Sequence, residues 1–240
     1  MLLSTEQLQF YKENGYLVVQ NLFSKDEVKQ IIEDSSQVWS DMVCSNEIPQ
    51  SSSLDKFFPT ITGIHKRDVN LTKYMLDPRV IEVLETIAGE EVLAFLQNYY
   101  FKPPGGKTIP MHQDNWETCA EPGTTFAAWI SLDHSNANNG GLFFVPGTQD
   151  SPIADDQSAL TIPPNLQSVD VSTNPGDVVF FNGNIYHGSY SNTSNHFRRT
   201  FLTHYVGKSV EKIAINHHGL IDKYGNKVRR KYNLSPRYHY

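Results

Sequence analysis

A histidine and an aspartate lie two residues apart in the segment His112-Gln113-Asp114. Alternate side chains of an extended segment share a face, so His112 and Asp114 would point one way and Gln113 the other. This pair can fill two adjacent positions around a metal ion. A second, distant histidine would complete the 2-His-1-carboxylate set that favours non-haem Fe(II). In a chain with nine histidines the His-x-Asp pattern alone is a weak indication.

His187 is the candidate for the second histidine. It follows the stretch 175–183, Pro-Gly-Asp-Val-Val-Phe-Phe-Asn-Gly, which predicts a tight turn, a buried strand and another turn. That order would aim His187 into the interior of a sheet. We interpret the remaining histidines as satisfied core or surface residues; they are His65, His134, His196, His204, His217, His218 and His239.

Two arginines, Arg198 and Arg199, open a predicted strand eleven residues after His187. Because strand side chains alternate between faces, only one guanidinium can face the interior. A buried arginine without a carboxylate nearby in the sequence needs an anion from outside, since an unpaired buried charge is costly. A planar guanidinium that grips a ligand carboxylate would meet that need. The alternative is a pair of exposed strand arginines.

Helices are predicted in the first ninety residues. The first helix covers Thr5 to Asn14 and ends at Gly15. The second begins with the capping box of Ser24 and Glu27. A third begins at Asp77, with proline in its first turn, and ends at Gly89.

Short β-rich runs follow, separated by clusters of glycine, proline and asparagine. This order predicts an antiparallel sandwich or barrel with helices packed outside. The predicted strands are Glu91 to Lys102, Thr124 to Ser135, Gly141 to Val145, Gln167 to Val171, Asp177 to Phe181 and Arg198 to Val206.

Two other regions lack a clear periodicity. The stretch 44–70 is either a binding loop or a disordered surface insertion. The C-terminal charges favour a solvated or partner-facing tail; they are Lys223, Lys227, Arg229, Arg230, Lys231 and Arg237.

Composition excludes several classes of protein. The chain has 240 residues and a formal net charge of −6, which argues against nucleic-acid binding. Two cysteines cannot form a disulfide scaffold, and this favours a reducing interior. The N-terminus does not resemble a signal peptide, and no apolar run approaches the ~20 residues that span a bilayer. We expect a single domain over residues 1–240, cytoplasmic and away from membranes: a helical part (1–90), a β core (91–207) and a tail (208–240). A homo-oligomer is compatible with the sequence.

The motifs resemble the phytanoyl-CoA dioxygenase (PhyH) family of Fe(II)- and 2-oxoglutarate-dependent oxygenases. The resemblance rests on His112-Gln113-Asp114, His187-Gly188-Ser189 and Phe197-Arg198, in that order along the chain. Supporting segments are Gly15 to Val19, Phe101 to Gly105, Asn139 to Leu142 and Val145 to Thr148. It implies a mainly β fold with α-helices, a double-stranded β-helix (jelly roll, cupin-like) with N-terminal helices packed outside.

The resemblance also implies roles for individual residues. His112, Asp114 and His187 would bind iron, and Arg198 rather than Arg199 would bind 2-oxoglutarate. Residues at three further positions would line the co-substrate pocket: Gln113, Trp129 and Ser189. Those bordering the substrate chamber would be Tyr99, Phe101, Asn115 and Trp116.

The activity implied is oxidation of an unactivated C–H bond, with dioxygen consumed and 2-oxoglutarate converted to succinate and carbon dioxide. Ascorbate would serve as reductant in vitro. No basic cluster near the motifs indicates an acyl-CoA, so we expect a small metabolite of specialised metabolism or an amino-acid-like intermediate. The loops 44–70 and 150–165 are the expected places for substrate contacts.

Three alternatives stay open. Halogenases of this fold replace the carboxylate ligand by a small residue, whereas Asp114 is present here. A non-catalytic jelly roll would have no reason to retain three ligands and Arg198. A cupin-like isomerase or hydrolase would have no evident use for that arginine.

Overall fold

The computed structural model describes residues 3–214 and 219–233. His217, His218, His239 and Arg237, for which the sequence made predictions, lie outside these described residues. Within them, none of the helices combines the length and the apolar character that a membrane-spanning segment needs.

The predicted helices form, and their caps explain their bounds. Helix α1 (Thr5–Asn14) starts at a capping box on Ser4 and ends at Gly15 in the left-handed conformation. Helix α2 (Lys25–Cys44) starts at the predicted capping box of Ser24 and Glu27. The remaining helices are α3 (Leu54–Phe57), α4 (Thr72–Met75), α5 (Pro78–Ala88) and α6 (Asp114–Thr118).

The strands, in chain order, are β1 (Tyr16–Val19), β2 (Ile61–Thr62), β3 (Val92–Lys102), β4 (Ile109–His112), β5 (Thr125–Ser131), β6 (Leu142–Val145), β7 (Val169–Asp170), β8 (Val178–Asn182), β9 (Tyr186–Ser189), β10 (Arg198–Gly207), β11 (Lys212–Ala214), β12 (Leu220–Ile221), β13 (Lys227–Val228) and β14 (Lys231–Asn233).

Two β-sheets pack face to face. The major sheet has the order β1-β8-β5-β10-β3-β12-β13, with β2 also paired to β3, and the minor sheet has the order β4-β9-β6-β7. An apolar core between the sheets contains Trp129 and Phe181 from the major sheet and Phe144 and Ile185 from the minor side. A second core packs residues of α2 and α5 against the opposite face of the major sheet. The molecule therefore has the predicted arrangement of a β sandwich with helices outside.

The sequence analysis did not predict the two strands that carry the motif histidines. Strands β4 and β9 have four residues each and lack an apolar run, and they pair with each other. The stretch 44–70 holds α3 and β2, and β2 pairs with Tyr99 and Asn98 at the edge of β3. It is therefore not an unstructured insertion.

The C-terminal segment also differs from the expected solvated tail. Ile213 and Leu220 are buried in a third apolar cluster, and β12 pairs with β3. Lys223 forms ion pairs with Glu85 and Glu91. Within the described residues, part of this segment belongs to the folded core, because apolar residues interrupt its basic ones.

Candidate active site

Pairing of β4 with β9 brings the two motif histidines together. His112 lies directly opposite His187 in the antiparallel register, and their ring centroids are 4.3 Å apart. Directly opposite residues of antiparallel strands project to the same face. The sheet therefore joins two residues that are far apart in the chain, as the sequence predicted for His187.

Asp114 reaches the same point by a different route from the one predicted. The strand ends at His112, and Asp114 is the first residue of the short helix α6. The backbone N–H of Asn115 donates to the carbonyl of Gly183, which ties this turn to the end of β8. Asp114 Oδ1 lies 3.3 Å from His112 Nε2 and 3.5 Å from His187 Nε2. A turn, not strand alternation, therefore directs the carboxylate.

Backbone carbonyls orient both imidazoles. His112 Nδ1 lies 2.8 Å from the carbonyl oxygen of Pro110, and His187 Nδ1 lies 3.0 Å from that of Ile185. A carbonyl only accepts, so each Nδ1 carries a proton, and each Nε2 faces Asp114, where it can bind a metal ion once deprotonated. The other carboxylate oxygen, Oδ2, is buried without a hydrogen-bond partner.

This donor set fits a divalent metal ion. The donor atoms of His112, Asp114 and His187 all lie within 4.8 Å of one another. Burial lowers the pKa of His187 to about 4, so this imidazole is neutral at neutral pH. Burial opposes ionisation of Asp114, but the surrounding histidines outweigh it and hold the pKa of this carboxyl well below its usual range. Two imidazoles and one carboxylate with open positions match non-haem Fe(II).

A cavity extends from the histidines between the two sheets. Trp129 and Ser189, both predicted to line a co-substrate pocket, lie on its wall together with Arg198. The complete lining is Tyr100, Ile109, His112, Trp129, Leu142, Phe181, His187, Gly188, Ser189, Arg198 and Leu202. Its walls are largely apolar, and its polar side chains include the two histidines, Arg198, Ser189 and Tyr100.

Arg198 is the inward-facing arginine of the pair. It is 2% exposed, and its Nη atoms donate to Thr200 Oγ1 (3.0 Å) and to the carbonyl of Gly140 (2.9 Å). Its Nε has no partner. Its Cζ lies 5.3 Å from the centroid of the Trp129 ring. Burial lowers its pKa to about 10, which still leaves it charged at neutral pH.

Arg199 points to the opposite face of the sheet. Its Nε and Nη2 donate to the two carboxylate oxygens of Asp133 at 2.8 and 2.7 Å. Of the two neighbouring arginines, Arg199 therefore has a carboxylate partner and Arg198 has none among the described residues.

Gln113 does not line the cavity. Its side-chain amide donates to the carbonyl of Asn184 at 2.9 Å, and its oxygen accepts from the N–H of Ala154 at 3.0 Å. Trp116 Nε1 donates to the carbonyl of Asp155. Both side chains thus fasten the segment 152–157 beside β4. Gln113 directly precedes α6, and its side chain makes no capping hydrogen bond to that helix, so it is free to bind the segment 152–157 instead.

Three residues expected around the substrate chamber lie elsewhere. Tyr99 is fully buried in the core beneath the helices, where Phe101 also packs. Both have odd numbers on β3, whereas Tyr100 faces the cavity. Asn115 is buried, and its side-chain oxygen accepts from the N–H of Ala120, which holds the end of α6. The roles that the resemblance implied for Tyr99, Phe101 and Asn115 are therefore wrong.

Tyr100 and His204 belong to the site although the sequence interpretation missed them. His204 Nδ1 lies 3.6 Å from Asp114 Oδ2, and its side chain is buried. The signal was available, since His204 has the same parity as Arg198 on β10 and so shares its face. The interpretation of His204 as an ordinary core histidine is therefore corrected. His134 and His196 are exposed, and His65 is half-buried at the surface.

Comparisons with known proteins agree with this arrangement. The sequence model described as phytanoyl-CoA dioxygenase (PhyH) matches residues 11–200. The peroxisomal phytanoyl-CoA dioxygenase of Rattus norvegicus is 27% identical over 245 residues, covering 89% of this chain and 71% of that protein. The ectoine dioxygenase of Bordetella bronchiseptica is 28% identical over 220 residues, covering 80% of this chain and 71% of that protein.

Solved structures share the fold. EctD from S. alaskensis with bound Fe has a TM-score of 0.76 at 21% identity, covering 98% of this chain and 89% of that one. SnoK, a non-heme alpha ketoglutarate dependent carbocyclase from nogalamycin biosynthesis, has a TM-score of 0.74 at 22% identity, covering 87% and 86%. These likenesses confirm the predicted fold class. The match over residues 11–200 shows that the chain belongs to the phytanoyl-CoA dioxygenase family of 2-oxoglutarate-dependent oxygenases.

Proposed function

We propose that this protein hydroxylates an unactivated C–H bond of a small metabolite, with ferrous iron as metal and 2-oxoglutarate as co-substrate. One observation carries the proposal. Three metal donors converge at one end of a cavity, and the buried Arg198, which has no carboxylate partner among the described residues, lies on its wall. A keto-acid with a second carboxylate would satisfy both.

His112, Asp114 and His187 would hold the metal on one side and leave positions for the keto-acid and dioxygen. When bound, ferrous iron supplies the coupled oxidation in which 2-oxoglutarate becomes succinate and carbon dioxide and the substrate gains oxygen. The carbonyls of Pro110 and Ile185 keep both imidazoles in the tautomer that presents Nε2. Arg198 would bind the distal carboxylate, with its unpartnered Nε as an additional donor.

The cavity wall supports the same co-substrate. Trp129 and Leu202 provide apolar surface for the methylenes of 2-oxoglutarate, and Ser189 provides a hydroxyl. Phe181 and Leu142 exclude water from the same space. The presence of Asp114 as third ligand favours hydroxylation over halogenation, since halogenation requires that ligand position to be vacated for the halide.

The segments beside the metal donors bear on the substrate class. The segment 152–157 is fastened beside β4 by Gln113 and Trp116, so it would form part of the wall that meets the substrate. A small, compact metabolite would fit here. The relatives named phytanoyl-CoA dioxygenase and ectoine dioxygenase span very different substrates, so their names do not select one.

The test is co-substrate turnover. Purified protein with Fe(II), ascorbate and 2-oxoglutarate should release succinate slowly, and the true substrate should raise the rate while it gains one oxygen atom. A screen of candidate metabolites with detection of both products would identify it. No binding of 2-oxoglutarate under anaerobic conditions with Fe(II) would contradict the proposal and favour a non-catalytic jelly roll.

A further inference from the structure

A second buried cation lies beside Arg198. Lys102 is directly opposite Arg198 in the pairing of β3 with β10, and it is only 6% exposed. Among the described residues, no carboxylate lies within ion-pair distance of either side chain. Lysine is rarely buried without a partner because removing its charge from water is costly. This position therefore needs an explanation beyond packing.

The ammonium of Lys102 has one short polar contact. Its Nζ donates to Ser189 Oγ at 2.8 Å, and Ser189 is itself 1% exposed and lines the cavity. A lysine ammonium has donors but no acceptor. Ser189 therefore accepts from Lys102, and its own hydroxyl proton is free to point into the cavity.

The surrounding backbone holds the lysine stem in place. A Cβ added to Gly140 would lie 2.5 Å from Lys102 Cδ, and one added to Gly106 would lie 3.0 Å from Lys102 Cγ. The Lys102 carbonyl accepts from Asn192 Nδ2 at 2.8 Å. The Gly140 carbonyl in turn accepts from Arg198. One glycine therefore touches both cations.

We propose that Lys102 is a positioning residue for the co-substrate: it fixes Ser189 as a hydrogen-bond donor and supplies a second positive charge for the distal carboxylate. This inference rests on the proposed function, because the carboxylate is that of 2-oxoglutarate. It follows that Lys102 takes up a proton when the carboxylate binds above neutral pH.

The proton uptake follows from the surroundings of Lys102. Burial, with a further contribution from the charge of Arg198, lowers the pKa of Lys102 to about 7. The other residues around the Lys102 side chain do not titrate near neutrality. Ser189 on β9 and the loop residues Gly106 and Gly140 have no group that ionises there. Tyr100 lies on the same face of β3, and burial raises its pKa to about 12. A bound carboxylate would raise the pKa of Lys102 again, so affinity for 2-oxoglutarate falls as pH rises above about 7.

The experiment is an anaerobic titration of Fe(II)-loaded protein with 2-oxoglutarate, at about pH 6 and about pH 8. In the wild type, the affinity should fall between the two values. Lys102→Met should bind about 10- to 100-fold more weakly at the lower pH, and this variant should lose the fall. Lys102→Arg should keep the affinity but not its pH dependence. The matched control is Lys107→Met, because Lys107 is exposed on the following loop and this change should leave both properties unaltered.

Calorimetry on the wild type alone keeps the inference testable if Lys102→Met does not fold. Binding near pH 8, measured in two buffers of different ionisation enthalpy, should show uptake of close to one proton. No proton uptake, or an unchanged pH profile in Lys102→Met, would overturn the role of Lys102 while leaving the proposed function intact. A wild type that binds no 2-oxoglutarate at all would instead overturn the proposed function, and this inference with it.

Discussion

The two faces of the strand pair β3–β10 differ in whether their positively charged side chains have a carboxylate partner. On the outer face, toward the helices, Arg199 donates two hydrogen bonds to Asp133. On the inner face Lys102 and Arg198 lie side by side with no carboxylate among the described residues. Within the described residues, these strands thus carry one cation with a carboxylate partner outside and two without one inside.

This difference indicates that the outer cation contributes to stability and the inner cations to ligand binding. A paired guanidinium on the outer face stabilises the fold, whereas two adjacent buried cations oppose folding unless an anion joins them. The protein retains Arg198 on the wall of a cavity that also reaches His112 and His187, and Lys102 lies beside Arg198. Changes on the inner face should therefore affect binding, and changes on the outer face should affect stability.

The largest effect is expected at the metal donors. His187→Ala removes one donor of a buried set, and metal affinity should fall by more than the ~10–100-fold typical of residues that only orient ligands. His134→Ala is the matched control, since His134 is exposed and distant in role. Metal content after dialysis against a known Fe(II) concentration measures both. Equal metal affinity in the two variants would show that His187 does not bind the metal.

The next effect compares the two arginines directly. Arg198→Ala should weaken 2-oxoglutarate binding by about 10- to 100-fold or more, since hydrogen bonds to charged groups contribute roughly 1.5–3 kcal/mol. Arg199→Ala should leave that affinity unchanged and lower the free energy of unfolding by about 1–2 kcal/mol, because Asp133 loses its partner. Anaerobic titration and denaturant unfolding measure the two quantities. If both variants bind equally, the inner and outer faces have been assigned wrongly.

Gly140 connects the two inner cations, and its substitution should give an intermediate effect. Gly140→Ala places a methyl group against the Lys102 stem in a backbone with φ of +88°, and should weaken 2-oxoglutarate binding roughly tenfold through displacement of Lys102 and Arg198. Gly105→Ala is the control, since its φ is +79° and its Cβ would meet open space. Both share the cost of a positive φ. A loss of affinity in Gly105→Ala as large as in Gly140→Ala would attribute the effect to backbone strain.

The smallest effect is expected at the outer aromatic cluster. Phe101 packs in a tilted contact with Phe58 and in an edge contact with Tyr99. Phe101→Leu should lower the free energy of unfolding by about 1 kcal/mol and leave 2-oxoglutarate affinity unchanged. Denaturant unfolding with the same titration checks this. Weakened binding would show that Phe101 acts on the cavity after all.

The sequence was sufficient where a local signal has one structural meaning. The capping box at Ser24 and the left-handed Gly15 determined helix bounds to within a residue. The ordered motifs identified the family. The spacing of His187 and Arg198 reflects the needs of a metal and co-substrate site and not those of a single helix or strand. Strand alternation beginning at Arg198 required that one arginine face inward, and Arg198 is the one that does.

The sequence was insufficient where tertiary contacts decide orientation. Strand alternation correctly predicted that Asp114 lies beside His112, but for the wrong reason. The strand ends at His112, and Asp114 belongs to the helix that follows. On β3 every residue from Tyr99 to Phe101 is aromatic, and such a run does not reveal which face is inward. The sequence assigned no role to Lys102, because only the pairing of β3 with β10 places it opposite Arg198.

Crystals grown anaerobically with Mn(II) and 2-oxoglutarate would show whether the three donors and Arg198 hold one metal ion and one co-substrate molecule. We predict one metal ion bound by His112 Nε2, Asp114 Oδ1 and His187 Nε2, with the keto-acid chelating it and its distal carboxylate on Arg198. Metal density away from these three atoms, or a distal carboxylate that does not contact Arg198, would contradict the account.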